Sequence, residues 1–381
     1  MWHLFFIVAQ IGLSFYIIST LYLLLVYFIK SKTQVQIAPK TVQLNIEHPI
    51  SIVFNTYCSE NDLFKHIQDL NNQEYRNYTA YFFVDEPMVI YNGLENIKII
   101  RPLQKRYSSF GLLNLVKNYI PDNPEAVLVV NSSSKIKEGT LAALNQNIQK
   151  GFEVVQCNLV ASNNSERLSN YQAISLNFFN LIDRKAMQSS GLSAALWGSG
   201  FMLNYNLFCE LDFESYQQND KALQAELLKK SIRISFEPEA QIIEKTYTEQ
   251  EFAQTKAKSF HLYLYNFKLG FNLLLDGILN PSFNKIIFGF NYLRPPLIVM
   301  LFASVSLGII DLYRQPKFEV FLWVAIIGTF ISALFLMQTG KAKQLIRPIT
   351  LSIKILLLKL IPKKSIQAKQ NSTYPLEQKL S

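Results

Sequence analysis

The chain opens on an unbroken apolar run. Residues 4–29 are 26 positions without a single charge. At 1.5 Å per residue, a helix of that length crosses the roughly 30 Å hydrocarbon core of a bilayer with some tilt. Lys30, Lys32 and Lys40 come directly after it, only His3 precedes it, and there is no basic start or small-residue cleavage site. The pattern predicts a retained anchor over residues 1–30, with the chain beyond Lys30 on the cytoplasmic side. Past the anchor, short apolar runs alternate with helical stripes. Residues 50–55, 79–85, 97–100, 126–130 and 152–158 read as strands. Ser59 is placed as a helix N-cap with Asp62 three residues on, and Leu63, Ile67 and Leu70 give that helix an apolar face. Residues 139–150 form a second such helix, with Leu141, Leu144 and Ile148 inward. Strand and helix in alternation predict an α/β body over residues 48–285, built on a doubly wound, mainly parallel sheet. Ligands bind such sheets at the C-terminal strand ends. That rule singles out Asn55, Tyr57, Asp85, Glu86, Asn131 and Ser133.

Apolar runs return late in the chain. Residues 295–310 and 320–337 predict two transmembrane helices within residues 293–338. Residues 345–361 are also apolar but carry Arg347, Lys354 and Lys359, which suits a helix lying in the membrane interface.

Charge supports this layout. The net charge is +9, and from residue 338 onward nine basic residues face only Glu377, so the tail over residues 339–381 carries +8 of it. A basic tail directly after apolar segments fits the anionic cytoplasmic face of a membrane and argues against nucleic acid. Apolar residues make up 49% and charged ones 17%, against roughly 25% charged in a soluble domain. The expectation is a multi-pass protein of the plasma (inner) membrane, with its body and tail in the cytoplasm. Cys58, Cys157 and Cys209 are too scattered for a disulfide framework, and the four histidines lack metal-ligand spacing. No Walker loop, GxGxxG, GxSxG, HExxH or CxxC occurs.

Four blocks in a fixed order carry a family resemblance. FNTYCSENDLFKHIQDLNNQEYRNYTAYFFVDE, from Phe54, is succeeded by AVLVVNSSSKIKEGTLAAL from Ala126, GLSAALWGSGFMLNYNLFCELDF from Gly191 and NDKALQAELLKKSIRISFEPEA from Asn219. Together they resemble glycosyltransferase family 2, in its membrane-bound, cellulose-synthase-like subgroup. The resemblance implies a GT-A-like fold and inverting transfer of a sugar from a nucleotide-sugar, UDP-sugars favoured, to a lipid-linked or polysaccharide acceptor. It places Asp85, with Glu86 beside it, at the nucleoside, and Asn131, Ser133 and Lys135 at the diphosphate. Trp197, Gly198, Ser199, Gly200 and Asn219 fall on the acceptor side, with Asp220 as catalytic base. The family's metal-binding DxD reads Asn131-Ser132-Ser133 here, and its QxxRW reads Gln254-Thr-Lys-Ala-Lys258. Amide and hydroxyl oxygens are poor ligands for Mg²⁺ or Mn²⁺, which take carboxylates and phosphates. Mg²⁺ or Mn²⁺ is not assigned to this position: either the site uses no metal, or it does not catalyse. Lys135, Lys137, Arg101, Lys105 and Arg106 are candidate counter-charges for a diphosphate. A catalytically inactive relative that binds nucleotide, glycan or a partner synthase is the alternative.

Overall fold

The computed structural model describes residues 2–34, 46–85, 95–102, 107–121, 124–162, 167–216, 219–246, 248–295, 297–314 and 323. Helix α1 is Trp2–Gln34, and within it Ile7–Tyr27 is long and apolar enough to cross a membrane. Strand β1 (Ile50–Tyr57) leads to α2 (Glu60–Asn71), then β2 (Tyr78–Phe83) and β3 (Ile97–Ile100). Next are helix α3 (Ser109–Val116), β4 (Ala126–Val130), the two-residue β5 (Lys135–Ile136), α4 (Thr140–Gln149) and β6 (Val154–Ala161). Helix α5 (Arg167–Phe179) runs without a break into a π-helix (Asn180–Ala186) and a last α-turn, α6 (Met187–Ser189). Then come β7 (Phe201–Asn204), α7 (Tyr205–Glu210), α8 (Asp220–Lys229), β8 (Ile234–Glu244), α9 (Glu249–Leu279), α10 (Phe283–Leu293) and α11 (Leu297–Arg314).

Eight strands form one sheet in the order β3-β2-β1-β4-β7-β6-β8-β5. The left half is parallel, as the runs of apolar residues require: Ala126 to Val130 are all buried because helices cover both faces. The sheet is mainly parallel, as expected, with two strands reversed. Strand β7 is inserted antiparallel between β4 and β6, and β5 pairs antiparallel with β8, so the sheet is mixed. Reversing β7 leaves β6 and β8 running the same way as β4, so the C-terminal ends of β1, β4, β6 and β8 share one edge. The α2 cap forms as expected: Ser59 Oγ accepts the Asp62 N–H at 3.3 Å and donates to Asp62 Oδ2 at 2.7 Å.

A register shift divides β8. Cys157 pairs with Glu237 but Asn158 pairs with Gln241, so the chain bulges at Pro238, where a ladder donor is lacking. Asn158 Nδ2 donates to the Pro238 carbonyl at 3.0 Å across the bulge.

Helices α9 and α10 pack backbone to backbone. A Cβ on Gly289 would lie 2.8 Å from Leu274 N, and one on Gly270 2.9 Å from the Gly289 carbonyl. Helix α1 packs beside them: Phe15 meets Phe290 with ring centroids 5.1 Å apart, and Lys30 Nζ donates to the Ser189 carbonyl at 2.6 Å. Leu13 and Ile17 of α1 cluster with Met300 and Leu307 of α11 and with Trp323. Among the described residues α1 alone meets the membrane-crossing criteria, so the expected C-terminal spans gain no support. The run over residues 320–337, Trp323 apart, and the whole basic tail lie outside the described residues.

Candidate active site

The turn after β4 stands where the DxD would be, and it is held from three sides. Ser132 N–H donates to Thr56 Oγ1 at 2.8 Å, and Ser132 Oγ donates to the Tyr57 carbonyl at 3.1 Å. His66 Nε2 lies 2.7 Å from the Ser132 carbonyl, a contact that requires the proton on Nε2. Burial lowers the His66 pKa, which favours this neutral ring. On the far side, Asn131 N–H donates to Ser199 Oγ at 2.9 Å. This bond joins the donor-side turn directly to the loop that the sequence assigns to the acceptor.

That loop, from Ala195 to Gly200, has its own supports. Gly198 and Gly200 adopt φ of +76° and +73°, in the left-handed region. Gly198 N–H donates to Asp220 Oδ2 at 2.9 Å. Trp197 N–H donates to Gln156 Oε1 at 3.0 Å, and its ring packs on Phe179 with centroids 5.0 Å apart. Arg184, from the π-helix and only 1% exposed, donates to the Ala195 carbonyl at 3.3 Å and the Trp197 carbonyl at 2.9 Å. Asn219 caps α8, accepting the Lys221 N–H at 3.2 Å and donating to Asn266 Oδ1 at 2.7 Å.

A cleft of about 210 Å³ opens at this edge. It is lined by Asn131, Ser133, Ser134, Glu244, Lys245, Glu251 and Gln254. The structure thus brings Asn131 and Ser133 together with Gln254 of the QxxRW-like segment. Glu244 and Lys245 escaped sequence reasoning: they end β8 in an unremarkable IIEK run and reach the cleft only because β8 pairs parallel to β6. Glu244 is 9% exposed, and burial raises its pKa against the opposing pull of Arg184, the Ser199 backbone and Gln172. Burial also pushes the Arg184 guanidinium down to about 10, so it stays charged at neutral pH.

Other predicted residues fall elsewhere. Lys135 turns to Asp69, with Nζ 2.5 Å from Oδ1, and Lys137 Nζ donates to Gln241 Oε1 at 2.8 Å. Asp85 is exposed just past β2, and neither it nor Asp220 is part of the cleft wall. Asn55 is buried at the end of β1 with Oδ1 lacking a hydrogen-bond partner, and Tyr57 Oη accepts the Tyr107 N–H at 2.9 Å. Glu86, Lys105 and Arg106, and the side chain of Lys258, lie outside the described residues. Asn131 and Ser133 offer only neutral oxygens where the family has carboxylates, and among the described residues no three His, Cys, Asp or Glu side chains gather. Glu251 Oε2 is already engaged by the Thr248 N–H at 2.8 Å.

The architecture has a solved counterpart. The chain is similar to the mannosyltransferase PcManGT from Pyrobaculum calidifontis, solved in complex with GDP-Man and Mn2+. The TM-score is 0.56 at 13% identity, over 92% of this chain and 99% of that one. The fold is a glycosyltransferase fold. A crystal structure of S. aureus TarS is a more distant likeness, with a TM-score of 0.36 and 14% identity over 75% of this chain and 81% of that one. No protein-family model and no curated protein sequence matches the chain.

Proposed function

We propose that the protein is a membrane-anchored, inverting glycosyltransferase that takes its sugar from a nucleoside-diphosphate donor without a divalent metal. One observation carries this reading: the Asn131–Ser134 turn and Lys245 line one cleft, and Asn131 is bonded to the acceptor-side loop. In a metal-dependent relative the cation offsets the charge of the departing diphosphate. Here Lys245 supplies a positive charge, with Asn131, Ser133 and Ser134 as neutral partners for phosphate oxygens. The acceptor oxygen bonds to the anomeric carbon as the sugar–phosphate bond breaks. The bonding pair leaves on the diphosphate, and the acceptor proton passes to a carboxylate beside the Ala195–Gly200 loop. Family resemblance nominates Asp220 for that carboxylate, Asp85 for the nucleoside and Trp197 for the acceptor. The likeness to a GDP-Man-bound mannosyltransferase supports a nucleotide-sugar donor and puts GDP-sugars beside the UDP-sugars expected from sequence. A lipid-linked or polysaccharide acceptor is the choice that suits α1 as an anchor.

The test is calorimetric titration of UDP, UDP-glucose, GDP and GDP-mannose, with and without Mn²⁺, alongside nucleotide release from the two sugars. We expect one donor to bind equally well with and without Mn²⁺. Lys245→Ala should weaken it about 10- to 100-fold, the worth of one charge-assisted hydrogen bond. Failure of all four to bind would overturn the reading. Binding without turnover on any acceptor would favour the inactive relative, to which the missing carboxylates at Asn131 and Ser133 point.

A further inference from the structure

Two carboxylates flank the acceptor-side loop. Asp220 accepts from Gly198 N–H at 2.9 Å, and Glu244 lies against the same glycine. Of the two, only Glu244 lines the cleft, together with Asn131 and Ser133. Gly198 lies against it, because a Cβ there would sit 3.4 Å from Glu244 Oε1. A larger side chain at this position would fill the space over the carboxylate, and the left-handed φ of +76° admits glycine there.

We propose that Glu244 is the base that takes the acceptor proton, with Arg184 as the residue that positions the loop and tunes that base; this rests on the glycosyl-transfer reading above. The acceptor oxygen attacks the anomeric carbon, the diphosphate departs with the bonding pair, and the hydroxyl proton moves to a Glu244 oxygen. Glu244 returns the proton to solvent through the open cleft. Asp220 then serves to hold Gly198 in place.

The surroundings suit that task. A base works best when its proton affinity lies near the working pH. Burial raises that of Glu244, Asp220 from α8 adds to the rise, and Arg184 from the π-helix opposes it. Gln172 of α5 and the Ser199 amide also hold the charged form. Lys245 and Glu251 line the same cleft, and Cys157 of β6 stays a neutral thiol because burial raises its pKa. Arg184 spends its named hydrogen bonds on Asn180 Oδ1 and the Ala195 and Trp197 carbonyls, so its effect on Glu244 is through space. The π-helix places it there: the same segment anchors Ala195 N–H on the Asp183 carbonyl at 2.9 Å, and fixes Asp183 to Arg294 with contacts of 3.1 and 2.8 Å. Single π-helical turns inside α-helices recur at functional sites.

The experiment measures UDP release from UDP-glucose and GDP release from GDP-mannose by the full-length protein, with water or native membranes as acceptor. Glu244→Gln should lower turnover by about 10²- to 10⁴-fold, as loss of a general base does. Calorimetric binding of the same donor should stay within threefold. Turnover by the wild type should fall with acid along a limb above the ordinary carboxylate range, and Arg184→Gln should move that limb higher. Three results would overturn the proposal: Glu244→Gln keeping turnover within threefold while Asp220→Asn abolishes it, an acid limb at an ordinary carboxylate value, or a limb that Arg184→Gln leaves in place. If Glu244→Gln does not fold, the two pH profiles decide the matter alone. Absence of donor binding by the wild type would instead strike the reading on which this rests.

Discussion

At the scale of single residues, the Ala195–Gly200 loop is held by space as much as by hydrogen bonds. A Cβ on Gly200 would lie 2.6 Å from Ile242 Cγ1 and 3.2 Å from Cys157 Cβ, both on buried strands. With φ at +73°, Gly200→Ala adds left-handed strain to a steric clash. Overpacking costs about 1–3 kcal/mol and the left-handed conformation about 1–2 kcal/mol, so a total of about 2–5 kcal/mol is expected. Gly191→Ala is the control. Its φ is +86° with nothing within 4 Å of the added Cβ, so only the conformational part, about 1–2 kcal/mol, should appear. Denaturant midpoints of the two variants check the difference. His66 gives a second prediction, in pH. Burial lowers its pKa below the ordinary 6.5, so the unfolded chain takes up the proton first. The stability due to neutral His66 is therefore complete above about pH 6.5 and drains away as pH falls from there through the folded-state value. Unfolding free energies between pH 7 and pH 5 should fall less steeply for His66→Gln than for the wild type.

At the scale of elements, legibility tracked burial. Strands β3 and β4 stand where the apolar runs put them, and β1 and β2 within two residues, because a strand covered on both faces reads as a continuous apolar run. The four residues of β7 carry no such signal, and its reversal depends on the turn through Gly198 and Gly200. Strand β8 was hidden by FEPEAQ, a polar stretch with Pro238 that becomes legible only as a bulge against β6. The same physics divides the site. Asn131 and Ser133 were readable as the end of a buried strand. Glu244 and Lys245 reach the cleft by long-range pairing that local pattern does not encode. Lys135 looked like a phosphate partner by sequence proximity, but β5 pairing against β8 turns it toward Asp69. Two helices invite tests at this scale. Thr248 and Glu251 form a reciprocal capping box at the start of α9, with Glu251 N–H 3.2 Å from Thr248 Oγ1. Thr248→Ala should cost about 1 kcal/mol. Gly289→Ala should cost more, about 1–3 kcal/mol, because the atoms its Cβ would meet are the backbone of α9 rather than side chains that can move. Chemical denaturation of the two variants in detergent gives the ranking.

For the whole molecule, the proposed membrane anchor makes a prediction about which side the cleft faces. Helix α1 exposes Val8, Ile11, Tyr22 and Leu25, each between 58% and 64% accessible. Leaving such a surface in water forgoes about 25 cal/mol per Å² of burial, so a bilayer is the natural solvent for it. The three cysteines provide a built-in reporter for orientation. Cys58 and Cys157 are buried and Cys209 is exposed on α7, on the body. Burial also pushes the Cys58 thiol up to about 12 and raises Cys157, so neither offers the thiolate that reacts. A membrane-impermeant maleimide should therefore label the native protein once, at Cys209. By the positive-inside rule, the lysines at the end of the apolar run predict a cytoplasmic body, and that is the orientation we propose. Intact cells should give no label, permeabilised cells one label per chain, and Cys209→Ser none in either. Labelling of Cys209 in intact cells would put the cleft outside, where nucleotide-sugars are not supplied, and would turn the search for a donor toward lipid-linked sugars.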